Sequence, residues 1–313
     1  MIYAVWVPLL VPLFAVPAAR RLGPVLPPRI AAWALAACAI VLAGCSTAAL
    51  GLLMAAGALR LPFVAAYGHL SLPLLREPAP LIVPAACVAA VLLAVAAGTL
   101  VHRAQGLVRE LRAAHAAHRE EGCGGDLAVR VDARPYAYAL PGRPGRVVVT
   151  TGMLRSLGAA EREVLFAHER AHLAGRHHVF LAVGELAAAL HPALRGLRAP
   201  LGYALERWAD ESAATSVGDR RLAARAIGRA ALATHAAGPQ GAPVPRMALA
   251  AAHGPVPRRV AALLTPTPTH THRPHRVLAA ALLTCVAIST TTALEAAHDL
   301  HGNVEVAQGE LSD

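Results

Sequence analysis

Lysine is absent from this 313-residue chain, so arginine carries all of its fixed side-chain positive charge. Charged residues make up only 15% of the sequence. Soluble domains lie nearer a quarter charged, so part of this chain is expected to be solvated by lipid. Aromatic residues are also scarce, at 4%, which leaves few platforms on which bases could stack. The formal net charge is +10. Its arginines are spread through loops and membrane flanks without a reading motif, so no direct nucleic-acid binding is expected. Cysteine gives no framework. Cys38, Cys45, Cys87 and Cys285 lie in apolar runs, Cys123 stands alone among glycines, and no CxxC pair occurs. That pattern supports neither a thiolate zinc site nor a disulfide scaffold. Leu42-Ala43-Gly44-Cys45 imitates a lipoprotein cleavage box but lies well inside an apolar run. There is no glycine-rich phosphate loop and no G-x-S-x-G elbow, so neither ATP use nor serine hydrolysis has support.

What the chain has in excess is apolar sequence, 56% of all residues. Four runs approach or exceed the roughly 20 helical residues needed to cross a bilayer. They are Tyr3 to Ala19, Ile30 to Leu59, Leu81 to Val101 and Val277 to Leu294. The first lacks a basic start and an A-x-A-like exit, and reads as a retained helix instead of a cleaved signal. Arg20, Arg21 and Arg29 fill the loop after it, whereas the loop after the second run carries only Arg60 and Arg76. By the positive-inside rule the first loop and the segment 102–276 are cytoplasmic, with the N-terminus and residues 295–313 outside. The expectation is a multi-pass protein of the cell membrane with the lipid bilayer as an obligate partner.

Segment 102–276 alone has the composition of a soluble domain. Val101 to Glu121 reads as a helix continuing out of the membrane. Leu127–Val131, Tyr136–Ala139 and Arg146–Thr150 are short β-type runs separated by Pro-Gly turns. Helices are expected from about Ala159 to Val179 and from about Leu201 to Val217, with further helix to about Gly238. The segments 239–258 and 265–275 read as loops around a short helix at Arg259–Leu264. The fold class is therefore mainly α with a small β-sheet.

Within the first of those helices lies His168-Glu169-Arg170-Ala171-His172, an H-E-x-x-H sequence. Residues four apart share a helix face, so both imidazoles can reach one metal. Glu169, beside the first of them, can reach a water on that metal and act as general base. Zinc suits two neutral imidazoles and a carboxylate with one open position. A third ligand has to come from elsewhere. The later helix carries Glu206 and Asp210, four apart, so a ligand and an acceptor for a ligating histidine's free ring nitrogen can share its face. His177 and His178 read as cations near the C-terminal end of the first helix. His270, His272 and His275 form a His-rich loop, and Tyr203 is a possible phenol donor to an oxyanion.

The order of features from about Asp126 to Ala214 resembles the gluzincin peptidases of the BlaR/MecR antirepressor type, and their relatives of the HtpX and CAAX prenyl protease type. The resemblance rests on Tyr136-Ala137-Tyr138-Ala139-Leu140-Pro141-Gly142, on Arg146–Thr150 as an edge strand, and on Thr151-Gly152-Met153-Leu154. Glu163 to Glu169 and the E-x-x-x-D of Glu206 and Asp210 complete it. It implies a zincin-like (gluzincin) peptidase domain beside multi-pass helices. His168, His172 and Glu206 would bind Zn2+, with Glu169 catalytic and Asp210 in support. The implied function is that of a zinc endopeptidase whose substrate is a protein or peptide, for example a transcriptional repressor. In such peptidases an edge strand corresponding to Arg146–Thr150 pairs with extended substrate. Two departures stand out. His177 takes a position where relatives often have aspartate. Receptors of the BlaR/MecR type carry a penicillin-binding sensor after their last span, whereas only residues 295–313 follow here, so direct β-lactam sensing is not expected. A quality-control protease of the HtpX type and a non-catalytic membrane regulator are the alternative readings.

Overall fold

The computed structural model describes residues 2–67, 81–119, 125–237, 255–265 and 273–309. The fold is mainly helical with one small sheet. Helix α1 spans Ile2–Leu22, α2 Pro28–Ala58, α3 Pro62–Tyr67 and α4 Ile82–Arg119. Strands β1 (Leu127–Arg130), β2 (Ala137–Leu140) and β3 (Arg146–Thr150) follow. Then come α5 (Thr151–Ser156), α6 (Ala159–Ala174), α7 (His177–Leu190) and a 3-10 helix (Pro192–Leu197). Helices α8 (Arg198–Val217), α9 (Arg220–Ala236), α10 (Val256–Leu264) and α11 (Arg273–Gly309) complete the order.

Three helices among the described residues are long and apolar enough to cross a membrane, over Pro28–Ala58, Ile82–Ala116 and Ala279–Gly302. Helix α1 packs chiefly along α11, and also along α2. Its three prolines remove backbone donors that would have bonded the carbonyls four residues earlier. One of those carbonyls, that of Pro8, is orphaned by Pro12 and instead accepts from the Ser46 hydroxyl of α2 at 2.8 Å. A proline-rich helix is thus reconciled with an apolar setting by a neighbour's hydroxyl. Gly57 of α2 lets α4 approach closely, since a Cβ there would fall 2.1 Å from Ala86 Cβ. Helix α4 runs unbroken past the expected end of its span at Val101, as the sequence predicts. Helix α11 likewise continues to Gly309, so much of the expected tail after Leu294 is helical.

The sheet corrects one expectation. Its order is β1-β3-β2, with β3 parallel to β1 and antiparallel to β2. Arg146–Thr150 is therefore the central strand, and both of its backbone edges are taken by neighbours. It cannot receive an extended substrate. One face of the sheet buries Val148 with Tyr138 and Leu140, against Ala114 of α4. The other buries Val149 and Ala137 with Met153 and Leu165 under α6. Strands β2 and β3 are accordingly apolar on both faces, which is why they do not alternate in sequence.

A second correction lies after the H-E-x-x-H sequence. The helix expected to Val179 ends at Ala174, and Arg176 adopts a left-handed φ of 49° before α7 begins at His177. Helix α7 then packs against α2 and α4. One apolar cluster runs through both the membrane helices and this region, joining Val16, Leu35 and Leu42 to Phe180, Leu194 and Leu205. The loop between α1 and α2 lies on the same side as α8. The Arg20 side chain donates to the Gly196 carbonyl at 3.1 Å, and Arg207 donates to that of Pro24 at 3.0 Å.

Candidate metal centre

Helix α6 starts where Glu161 reaches back to accept the Gly158 N–H at 2.9 Å, with Arg229 of α9 holding the same carboxylate at 2.9 Å. From there the helical period turns Leu165 toward the sheet and His168, Glu169 and His172 toward α8. All three are buried. Helix α8 runs alongside and turns Glu206 and Asp210 toward them, also buried. Gly218, with φ 71°, ends α8, and the Asp219 side chain starts α9 by accepting from the N–H groups of Arg221 and Leu222.

The Nε2 atoms of His168 and His172 lie 3.0 Å apart. Glu206 sends Oε2 to within 3.6 Å of His168 Nε2 and Oε1 to within 3.7 Å of His172 Nε2. Tetrahedral zinc, with bonds of 2.0–2.2 Å to N and O, spaces its ligand atoms by about 3.3 Å. The three donor atoms fit that spacing without rearrangement of the backbone. His168, His172 and Glu206 could therefore hold a metal ion. Glu169 sits wholly inside the protein beside them, with both carboxylate oxygens out of contact with solvent.

The groups behind the donors decide which ring nitrogen would face a metal. His168 Nδ1 is 3.0 Å from Asp210 Oδ1, which leaves Nε2 to point at His172 and Glu206. His172 Nδ1 is 2.6 Å from His177 Nδ1. For His172 to offer a lone pair at Nε2, its proton must sit on Nδ1 and be donated to His177. His177 is therefore no helix-end cation. It opens α7, is buried, and packs its ring on Trp208 with centroids 4.6 Å apart. Gly175 makes room for it, since a Cβ there would fall 2.4 Å from His177 Nε2. His177 thus faces the His172 ring as a neutral acceptor.

Arg259 is the residue that sequence reasoning missed. It projects from α10 with no exposed surface. Its guanidinium reaches Asp210 at 2.6 and 2.8 Å and Glu206 Oε2 at 2.7 Å, so one cation clamps both acids of the E-x-x-x-D pair. The signal available in sequence was its spacing. Arg259 stands four residues before Leu263, on the stripe that α10 buries.

Electrostatics follow from this packing. Burial pushes the His168 imidazole down, but contacts with Asp210 and Glu206 outweigh it and raise it to about 9. Burial together with the positive charge of His168 drives His172 well below the ordinary range. Burial, then His168 and His178, lowers His177 to about 3, so it is neutral and able to accept. Burial alone would raise the Asp210 carboxyl, yet Arg259 and His168 hold it below the usual carboxylate range. Positive charge in this cluster therefore falls on His168, while His172 and His177 are neutral.

Of the remaining expectations, Tyr203 turns its ring to Arg207, whose Cζ lies 6.0 Å from the ring centroid. His270 and His272 lie outside the described residues, as does Cys123.

Residues 102–193 match the model of Peptidase family M48, a stretch that takes in the last part of α4, the sheet, α6 and α7. Neither a curated protein nor a solved structure matches the chain. The family match joins three apolar membrane-length helices and a buried His-His-Glu cluster, and together they support a membrane-associated metallopeptidase.

Proposed function

We propose that this chain is a membrane-tethered zinc endopeptidase with its site on the cytoplasmic side. The observation that carries the reading is the convergence of His168, His172 and Glu206 beside the buried carboxylate of Glu169. Zinc held by the three donors would polarise the scissile carbonyl and acidify water at neutral pH. Glu169 takes the proton from the attacking water and delivers it to the departing amine. Asp210 and His177 keep the two imidazoles oriented, and Arg259 keeps the two acids of α8 in place. The cytoplasmic assignment is supported by Arg20, Arg21 and Arg29, which flank the short loop between α1 and α2 on the side of α8.

The substrate is a protein, and the resemblance to antirepressor peptidases favours a regulatory one such as a transcriptional repressor. A second reading, broad cleavage of misfolded membrane proteins, draws on the nearness of the site to the membrane helices. There Phe180 of α7 meets Trp33 of α2 with centroids 4.9 Å apart. The test is a comparison of the proteomes of cells carrying the wild type and Glu169→Gln. The variant protein should keep about one zinc per chain while cleavage products disappear. One lost product indicates a dedicated target, and many indicate quality control. Identical product sets would remove the peptidase reading and leave a non-catalytic regulator.

A further inference from the structure

A cavity of ≈ 390 Å³ opens between α1, α2, α4, α7 and the 3-10 helix, apart from the metal donors. Its two ends differ in chemistry. Leu9, Leu50, Leu92 and Val95 line one end, all from helices with membrane-length apolar sequence or packed along them. Arg103, Arg195 and Arg198 line the other, with Glu185 among them.

The charge balance at that end is unequal. Arg198 is paired with Glu185. Arg103 and Arg195 have no acidic partner among the described residues, so two positive charges are left unbalanced beside the Arg198–Glu185 pair, with Thr99 and His191 as the other polar lining residues. Their depth is also defined. Arg103 follows Val101, where the apolar run of α4 ends. Arg195 neighbours Gly196, whose carbonyl is bonded by Arg20 at the end of α1. Both guanidiniums thus lie at the level where helices leave the hydrocarbon, and the leucines lie deeper. A molecule that satisfies both ends has a negatively charged head at the interface and an alkyl chain below it. Guanidinium is well matched to phosphate oxygens, and basic pockets between membrane helices on this side suit anionic headgroups.

We infer that the cavity is a binding site for one anionic phospholipid of the cytoplasmic leaflet. Its phosphate is held by Arg103 and Arg195, and one acyl chain runs along Leu9, Leu50, Leu92 and Val95. The rest of the lipid lies on the exposed face of α4, where Val88 and Val91 are 59% and 62% accessible. The Thr99 hydroxyl lies 3.1 Å from the Ala189 carbonyl and 2.9 Å from that of Ala96 in its own helix, so α4 and α7 are in close contact beside the cavity. Occupancy by lipid would therefore brace the helix that begins at His177.

The full chain, delipidated in detergent, would be incubated with micelles containing equal amounts of phosphatidylglycerol and phosphatidylcholine, and bound lipid counted by native mass spectrometry. The wild type should retain about one phosphatidylglycerol and little phosphatidylcholine. Replacing Arg103 and Arg195 with Gln should lower retention by roughly tenfold or more, whereas Arg155→Gln with Arg221→Gln, which removes the same charge elsewhere, should not. Val95→Trp keeps every charge but narrows the apolar end, and should also lower retention, so the test survives a folding failure of the arginine variant. Equal retention of both lipids, or unchanged retention in Val95→Trp, overturns the proposal. Displacement by millimolar inorganic phosphate or glycerol phosphate would mean a free-anion site, and would overturn it too.

Discussion

His177 Nδ1 lies 2.6 Å from His172 Nδ1, so a residue outside the H-E-x-x-H sequence sets the tautomer of one of its histidines. Removing that acceptor should weaken the metal site without touching a donor. Outer partners of ligating histidines are typically worth about 10–100-fold in metal affinity. His177→Phe should show a loss of that order in competition against a zinc chelator. His177→Asp, which offers a carboxylate acceptor instead, should stay within a few-fold of the wild type. Equal affinities for all three proteins would remove the orienting role.

Arg259 offers a separate test, of stability. It is a fully buried cation between two buried acids, and breaking such a pair usually costs about 3–5 kcal/mol. Arg259→Met should lower the unfolding temperature of the metal-free protein markedly. Zinc supplies positive charge beside Glu206, so the deficit should shrink when metal is bound. Thermal unfolding in detergent with and without zinc reads both numbers; a deficit that zinc leaves untouched would contradict the electrostatic account.

Proton release provides a third prediction. In the metal-free site His168 is raised to about 9 and is protonated at neutral pH, while His172 and His177 are neutral. A metal needs the lone pairs of both ligating rings, so uptake at pH 7 should release about one proton. Apparent zinc affinity should rise about tenfold per pH unit up to about 9. Calorimetric titration in two buffers of different ionisation enthalpy gives the proton count directly, and a value near zero would refute the assignment of a proton to His168.

The membrane helices can be probed at Gly57. A Cβ there would fall 2.1 Å from Ala86, and small residues are what allow such close approach between apolar helices. Gly57→Val should destabilise the protein by roughly 1–3 kcal/mol through overpacking, measured by unfolding in mixed micelles. Gly44→Val, where nothing lies within 4 Å of the added carbon, is the control and should be near neutral.

Much of this architecture is legible in the sequence because its signals are local. Two histidines four apart on a helix, and two acids four apart on another, announce their shared faces through periodicity alone. Apolar runs announce membrane-length helices in the same way. What is not legible depends on long-range pairing. Three short apolar strands carry no mark of which lies in the middle, so Arg146–Thr150 reads as an edge when it is the centre. The turn at Arg176 breaks a helix without a proline, and only a left-handed φ reveals that His177 begins a new element instead of ending an old one. Arg259 is separated from Glu206 by most of two helices and a long connection, and a buried arginine has no pattern of its own.

The ring of His177 rests on Trp208, Phe180 lies 6.1 Å from the same indole, and Phe180 touches Trp33 of α2. These aromatic contacts link the imidazole beside the candidate metal donors to the first turns of α2, a helix of membrane length. Such a protein has no seam along which a water-soluble catalytic fragment could be excised. A piece cut at residue 102 would keep Trp208 and Phe180 around His177 but would strip α2 from α7, and with that apolar flank bare it would be expected to precipitate.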